Sequence, residues 1–144
     1  MSYFIENTQL EKSIWGVPDG VSMLALSGWL GSGARLVYVA RDDARMMAMR
    51  DGLSRLAPQV ETHLFPAWDC LPFDRLSPQG ALVGQRVETL ARLAEGGAGS
   101  GAGAGAVLLT TVNALLQRVP PQSYFSKRSL VLAAGDSTGP ARLC

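Results

Sequence analysis

A loop rich in proline and aromatic residues carries the polar side chains best suited to chemistry in this sequence. Its candidate interaction residues are Trp68, Asp69, Leu71, Pro72, Phe73, Asp74 and Arg75. Prolines fix φ and remove backbone donors, so this segment cannot pair as an interior strand. Its aromatic and aliphatic side chains are too apolar for a free linker in water. We therefore predict an ordered loop that packs on a scaffold and presents its charged groups.

Two carboxylates and a thiol in this loop, Asp69, Asp74 and Cys70, are residue types that a hydrolase uses. Hydrolysis would also need a base or a metal beside them, and the sequence indicates neither. We expect the carboxylates instead to accept backbone N–H bonds that hold the turn. We therefore predict no catalytic residue and no metal ligand, and a stand-alone enzyme is the last of three hypotheses.

A turn bounded by Gly16 and Gly20 and followed by Ser22 has part of the chemistry of a phosphate-binding loop. Such loops end in Gly-Lys-Ser/Thr, because backbone donors surround the phosphates and the lysine neutralises them. This segment has no lysine, and Asp19 puts a negative charge where a phosphate would lie. The sequence therefore predicts a degenerate loop, a turn before a helix, and no bound cofactor.

Isolated basic and aromatic residues complete the candidates. His63, the sole histidine, has no cysteine or carboxylate cluster at ligand spacing, which favours an ordinary, partly buried histidine.

Arg86 and Arg118 are candidate polar contacts, for which we expect solvation or local salt bridges, with phosphate contact in an inter-domain groove as the alternative. Arg118 also suits the C-terminal end of a short helix. We expect Trp68 to pack into its own loop rather than stack on bases, because its neighbouring charges are mostly acidic.

The composition describes one globular domain. The chain has 144 residues, 47% hydrophobic and 17% charged, with a net charge of +1, so no overall basic field draws it to nucleic acid. Two cysteines, Cys70 and Cys144, have neither metal nor disulfide spacing and fit a reduced, cytoplasmic setting. No apolar run is long enough for a signal peptide or a bilayer span. The apolar excess suggests that another domain covers part of the surface.

Hydrophobic periodicity predicts helices that alternate with strands. The predicted helices are 20–30, 44–56, 80–94 and 113–118, and the predicted strands are 36–40, 60–65, 107–110 and 130–133. Glycines after residue 30 and Pro58 end two of the helices, and Asp42 is the expected N-cap of the second. Alternation of this kind predicts a three-layer α/β domain, a parallel sheet with right-handed crossovers and helices on both faces.

The expected packing follows from the same pattern. We expect 36–40 to be a buried strand. The second helix carries an apolar stripe made of Met46, Met49, Leu53 and Leu56. The third helix carries apolar positions at Leu82, Val83, Val87, Leu90 and Leu93. We divide the chain into an N-terminal tail (1–15), an α/β module (16–136) that contains a flexible glycine- and alanine-rich linker (96–105), and a divergent tail (137–144).

Two irregular runs carry a family resemblance. The first is Trp-Asp-x-Leu-Pro-Phe-Asp-x-x-Ser-Pro at 68–78, followed by Arg86, Thr89 and Leu90. The second is Thr-Val-Asn-Ala-Leu-Leu-Gln-Arg-Val-Pro-Pro at 111–121. Together they resemble the N-terminal portion of the bacterial transcription-repair coupling factors, the Mfd family, over roughly 16–136.

The resemblance implies a module similar to the first domain of the repair protein UvrB, which is related to RecA, with its nucleotide site lost. It implies an intact parent that translocates on DNA with ATP and magnesium in a downstream motor, displaces stalled RNA polymerase and recruits UvrA for nucleotide-excision repair. The similarity fades after Asp136, so the motor and the segments that bind UvrA and RNA polymerase are expected to be missing, as in a truncated chain.

Three hypotheses follow. The leading one is a non-catalytic scaffold module that contacts other domains of its parent and binds DNA weakly or not at all. The second is a small nucleotide- or nucleic-acid-binding domain that uses the turn at 16–22 and the arginines. The third is the enzyme rejected above. None of them places the chain in a membrane.

Overall fold

The computed structural model describes residues 16–70, 77–94 and 105–126. Within them the elements are α1 (Asp19–Gly31), β1 (Arg35–Ala40), α2 (Asp43–Leu56), β2 (Glu61–Phe65), α3 (Gly80–Ala94), β3 (Ala106–Thr111), α4 (Val112–Leu115) and α5 (Gln122–Ser126). The predicted tails, most of the linker, the strand at 130–133 and the loop residues from Leu71 to Arg75 lie outside the described residues.

The three strands form one parallel sheet in the order β1-β3-β2. The chain skips one position between β1 and β2 and then steps back to β3. Because crossovers between parallel strands are right-handed, this reversal places α2 and α3 on opposite faces of the sheet. The predicted α/β fold, a parallel sheet flanked by helices, is confirmed. The closer likeness to RecA-type and UvrB-type domains stays a prediction.

The main core lies between the sheet and the layer that α1 and α2 form. Its buried residues are Leu30, Ala40, Met46, Met49, Leu53, Ala57, Val60, Val107 and Leu109. The apolar stripe predicted for α2 is therefore confirmed at its first three positions. Leu56 is exposed instead, because α2 ends there and the chain turns away at Ala57.

The ends of α1 and α2 follow the expected local chemistry. Asp42 caps α2, and its Oδ1 accepts the backbone N–H of Arg45 at 2.9 Å. Gly33, two residues after the end of α1, has a φ of +83°, a conformation that favours glycine. These two features set the directions in which the chain enters and leaves β1.

The expectation of a buried strand at 36–40 is wrong. β1 lies at the edge of the sheet that the described residues form, and only Ala40 of the strand is buried, while Val37 and Val39 are exposed. They belong to the sheet face on which α3 packs, but α3 contacts β2 rather than β1. A run of β-branched residues therefore marks a strand here without implying cover on both faces.

The C-terminal part also differs from its prediction. The helix expected at 113–118 is the single turn of α4, and a second short helix, α5, follows the proline pair and packs on α3. Pro120 and Pro121 separate the two, because a proline cannot donate the backbone bond that a continuing helix needs.

Candidate functional site

A buried arginine on α3 organises the carboxyl end of the sheet. Arg86 is 2% exposed, and its Nη1 donates to the backbone carbonyl of Pro66 and to Oε1 of Gln117, the latter at 2.9 Å. Pro66 directly follows β2, and Gln117 follows α4. One guanidinium therefore joins the start of the proline loop to the segment behind β3.

Two aromatic rings complete the surroundings of this guanidinium. The Cζ atom of Arg86 lies 4.0 Å from the ring centroid of Phe65 and 4.2 Å from that of Trp68. Ring faces carry negative charge density and attract cations, and a planar guanidinium can pack flat against them. The aromatic side chain that opens the loop is thus held by an arginine of α3. The expectation that Trp68 packs into its own loop stays a prediction.

Gln117 contributes a second bond to the same arrangement. Its Oε1 also accepts the backbone N–H of Trp68 at 3.1 Å. The amide oxygen therefore receives donors from both the loop and α3. We call Phe65, Pro66, Trp68, Arg86 and Gln117 the arginine anchor.

The anchor holds a positive charge without a carboxylate in hydrogen-bond contact among the described residues. Burial lowers the pKa of Arg86, because leaving water disfavours the charged form. The guanidinium remains protonated at neutral pH, since arginine side chains are not deprotonated in proteins. Carbonyl and amide oxygens and ring faces stabilise it, while its Nε has no described hydrogen-bond partner.

Two threonine hydroxyls fix the last residues of β2 beside the anchor. Thr89, one turn after Arg86, donates to the carbonyl of Leu64 at 2.6 Å, and Thr110 donates to the carbonyl of Phe65 at 2.8 Å. Both threonines are buried. The inward face of α3 is therefore polar at Arg86 and Thr89, because carbonyl groups at the end of β2 lie opposite that face.

This geometry corrects two expectations. Arg86 is neither solvated nor in a salt bridge within the described residues; it is buried and bonded to uncharged oxygens. The apolar positions predicted on α3 are not all turned to the core either, since Val87 and Leu93 are exposed while Arg86 and Thr89 are buried. Gln117 was not singled out from the sequence; its place in the run at 111–121 was the only available signal.

An apolar cavity of about 400 Å³ adjoins the anchor. Its lining residues come from the loop, α3 and the segment that ends in α5, and they are Trp68, Arg86, Val87, Leu90, Ala91, Arg118, Val119, Pro120, Tyr124 and Phe125. Arg118 is exposed and lies three residues beyond the end of α4, so it does not stand in the last turn of that helix.

Asp69 is the other candidate interaction residue of the loop that lies within the described residues. Its Oδ2 accepts the backbone N–H of Gln79 at 3.4 Å, a long bond that links the two described ends of the loop. This is the turn-holding role expected for Asp69. Cys70 is a free thiol of intermediate exposure.

The turn at the start of α1 has the geometry of a helix entry. Gly16 has a φ of +70°, Pro18 occupies the N-cap, and both Gly20 and Ser22 lie inside the helix. The carboxylate of Asp19 lies 3.4 Å from the guanidinium of Arg45. The negative charge that argues against a phosphate here is therefore directed toward α2.

His63 belongs to a small charged network rather than to a metal-binding group. It is buried, and its Nε2 lies 3.3 Å from Oε1 of Glu61, which also accepts from Arg92 at 3.0 Å. Arg92 in turn bonds Glu88 at 3.0 Å. Within the described ranges, no three histidine, cysteine, aspartate or glutamate side chains cluster as a metal site would require.

The described helices are too short or too polar to cross a membrane.

Comparison with known proteins gives one consistent result. No protein-family model matches the chain. Curated transcription-repair-coupling factors of several bacteria do. That of Haemophilus influenzae is 29% identical over 128 residues, 87% of this chain and 10% of the relative. That of Escherichia coli is 31% identical over 101 residues, 70% of this chain and 8% of the relative. That of Mycobacterium tuberculosis is 37% identical over 75 residues, 52% of this chain and 6% of the relative. The chain therefore spans a tenth or less of the length of these relatives.

Proposed function

We propose that this chain, which is related by sequence to one segment of the transcription-repair coupling factors, is a non-catalytic scaffold module of such a factor. The observation that carries the proposal is the arginine anchor. It uses Arg86, one of the two proposed polar contacts, inside the domain, where the side chain is 2% exposed and Nη1 already donates to Pro66 and Gln117.

The anchor supports a positioning role. It fixes the start of the proline loop to α3 and to the segment behind β3, while Asp69 and Gln79 bring the described loop ends together. A loop whose ends are fixed on a rigid sheet can present its side chains at small entropic cost. A scaffold needs this property, whereas a nucleotide site would need free donors and a cation.

The start of α1 supports the same proposal. The turn lacks the lysine of a phosphate-binding loop, and Asp19 lies at the helix entry, where phosphates bind in nucleotide-binding proteins. Its carboxylate would repel a phosphate there. We therefore propose that ATP, magnesium and the DNA-translocating activity belong to other segments of the parent.

The partners of this module are then the other domains of its own polypeptide. UvrA and RNA polymerase would be reached through segments outside this chain, in the cytoplasm. Such a role requires no nucleotide and no DNA contact from the module itself.

Isothermal titration calorimetry of the purified chain with ATP and magnesium tests the proposal. We expect no heat of binding up to millimolar nucleotide, with a phosphate-binding-loop protein in the same buffer as the positive control. Micromolar ATP binding would contradict the scaffold role. Binding of duplex DNA that weakens steeply with salt would favour the nucleic-acid-binding alternative, because phosphate contacts release counterions.

A further inference from the structure

Helix α1 has two apolar faces, and only one of them packs against the described domain. The inward face places Met23, Leu26 and Leu30 against the core. The outward residues recur at intervals of three and four positions. They are Val21, Leu24, Ala25, Gly28 and Trp29, and we call them the outer stripe. All five are exposed.

Helix α1 lacks the polar outer face of an ordinary surface helix. Val21, Leu24 and Trp29 are 53%, 63% and 60% exposed, whereas Ser22 and Ser27 are half-buried. Asp19 is the only charged residue of the helix. A helix at a solvated surface directs charged residues outward, and one that is apolar all round is normally covered on every side. The outer stripe therefore has the character of a contact surface.

The shape of the stripe fits a second helix. Positions spaced by three, four, seven and eight residues form the ridge that helices use to pack on one another. Ala25 and Gly28 lie between the bulky Leu24 and Trp29, and a side chain added at Gly28 would meet nothing within 4 Å. The small residues thus leave a shallow depression between two larger side chains, into which a partner side chain could fit.

Three contacts fix α1 in place. Met23 packs over Gly52 of α2, Leu30 is buried with its backbone against Gly105, and Asp19 pairs with Arg45. Because the helix is held at both ends and at its middle, a partner that binds its outer side chains causes no further loss of conformational entropy in the helix backbone.

We infer that the outer stripe docks an apolar helix supplied by another part of the same coupling-factor polypeptide. This inference rests on the proposed function, since it names the surface through which the scaffold module contacts its parent. The stripe carries no charge, so the partner face is apolar and uncharged too. The relatives supply the source of such a helix, because the matched segments are 10% or less of their length.

The size of the stripe favours this occupant over a second copy of the chain. A contact along a 13-residue helix, about 20 Å long, buries on the order of 400 Å² per side, half of the roughly 800 Å² per partner that a stable interface uses. Two separate chains would associate weakly through it. Within one polypeptide the effective concentration is roughly millimolar, so a small apolar contact suffices.

Cysteine accessibility tests this assignment. Leu24→Cys is introduced into the chain with Cys70 and Cys144 replaced by serine, and its rate of reaction with iodoacetamide is measured. The same rate is measured in the E. coli coupling factor in which this chain replaces the matched segment. We expect the rate to fall at least tenfold in the larger protein. Ser54→Cys, exposed on the charged face of α2 beside Asp51 and Arg55, is the control and should react alike in both.

Three results would overturn the inference. The first is equal reactivity of Leu24→Cys in the isolated chain and in a folded chimera. The second is a dimer of the isolated chain in sedimentation that Leu24→Glu dissociates, which would assign the stripe to a second copy. The third is a rise in reactivity when residues 1–15 are deleted from the isolated chain, which would assign it to the N-terminal tail.

The scaffold function and the docking surface can fail separately. ATP binding by the chain would remove the scaffold function while leaving the protection of Leu24→Cys in the chimera unchanged. Absence of both protection and ATP binding would remove only the docking surface.

Discussion

Oε1 of Gln117 lies 2.9 Å from Nη1 of Arg86, although 31 residues separate the two along the chain. The same oxygen accepts the backbone N–H of Trp68. A glutamine amide can do this without a charge of its own, and an arginine can reach it from the middle of a helix because the guanidinium is a long, planar fork. The entry to the proline loop therefore depends on two side chains outside the loop, one of which lies 49 residues beyond Trp68.

Replacing Arg86 should destabilise the domain strongly. Arg86→Lys keeps the charge but loses the planar fork that bonds the carbonyl of Pro66 and lies over two rings, so we expect a loss of about 2–4 kcal/mol in the free energy of unfolding. Urea denaturation followed by circular dichroism measures it. Arg118→Lys, at an exposed position, is the matched control and should change stability by less than about 0.5 kcal/mol. Equal effects of the two substitutions would show that the anchor contributes nothing specific.

Arg86 and Gln117 should be energetically coupled. Gln117→Leu removes the acceptor for two donors, which costs about 1–3 kcal/mol when those donors are left buried and unpaired. In the double variant Arg86→Met with Gln117→Leu, one of those donors is also gone, so the two losses should not add. We expect a coupling energy of about 1–2 kcal/mol from a double-mutant cycle in urea. Strictly additive losses would be incompatible with the hydrogen bond at 2.9 Å.

The elements of this fold could be predicted from sequence because local chemistry determines them. The capping aspartate at 42, the stop after α1 and the apolar spacing of Met46, Met49 and Leu53 each specify a helix without reference to the rest of the chain. Parallel strands then follow from the alternation of helices and strands.

The site could not be predicted in the same way, because the burial of its side chains depends on which groups of the sheet lie opposite them. The face of α3 that contacts the sheet meets strand-end carbonyls, so Arg86 and Thr89 point inward although their types suggest solvent. Val37 is the converse case, an apolar residue that is exposed. Its exposure depends on which strand lies at the edge of the described sheet. Residue type alone carries neither piece of information.

Acid should weaken the cap of α2. The backbone N–H of Arg45, and then the side chain of Arg41, lower the pKa of Asp42 below its usual value because they bond the ionised carboxylate. A carboxyl group whose pKa is lower in the folded than in the unfolded chain stabilises the folded state. That stabilisation is complete at pH values above the unfolded pKa of about 3.9, and it is lost as the pH falls through the folded pKa. The stability difference between the wild-type chain and Asp42→Ala should therefore be larger at pH 6 than at pH 2.5.

Asp42→Asn is the control for this titration, since its amide oxygen can cap the helix but cannot titrate. The stability difference between the Asn and Ala variants should not change with pH. Urea denaturation at both values measures all three proteins. A pH-independent difference between the wild-type chain and Asp42→Ala would contradict the assigned cause.

Two glycine-to-alanine substitutions should have opposite signs. Gly84 lies inside α3, and a methyl group there would meet nothing within 4 Å, so Gly84→Ala should raise stability by about 0.5–1 kcal/mol through the lower entropy of the unfolded chain. Gly105 is buried, and a methyl group there would collide with the backbone of Leu30 at the end of α1. Backbone cannot give way as a flexible side chain can, so Gly105→Ala should cost about 2–3 kcal/mol, within the range of overpacking in a closed core. Thermal and urea unfolding of the two variants against the wild-type chain measure the pair. Because the nearest atoms to that methyl group belong to Leu30 of α1, Gly105→Ala should also increase amide hydrogen exchange in α1 more than in α3. Uniform exchange across both helices would mean that Gly105 does not hold α1 against the strands.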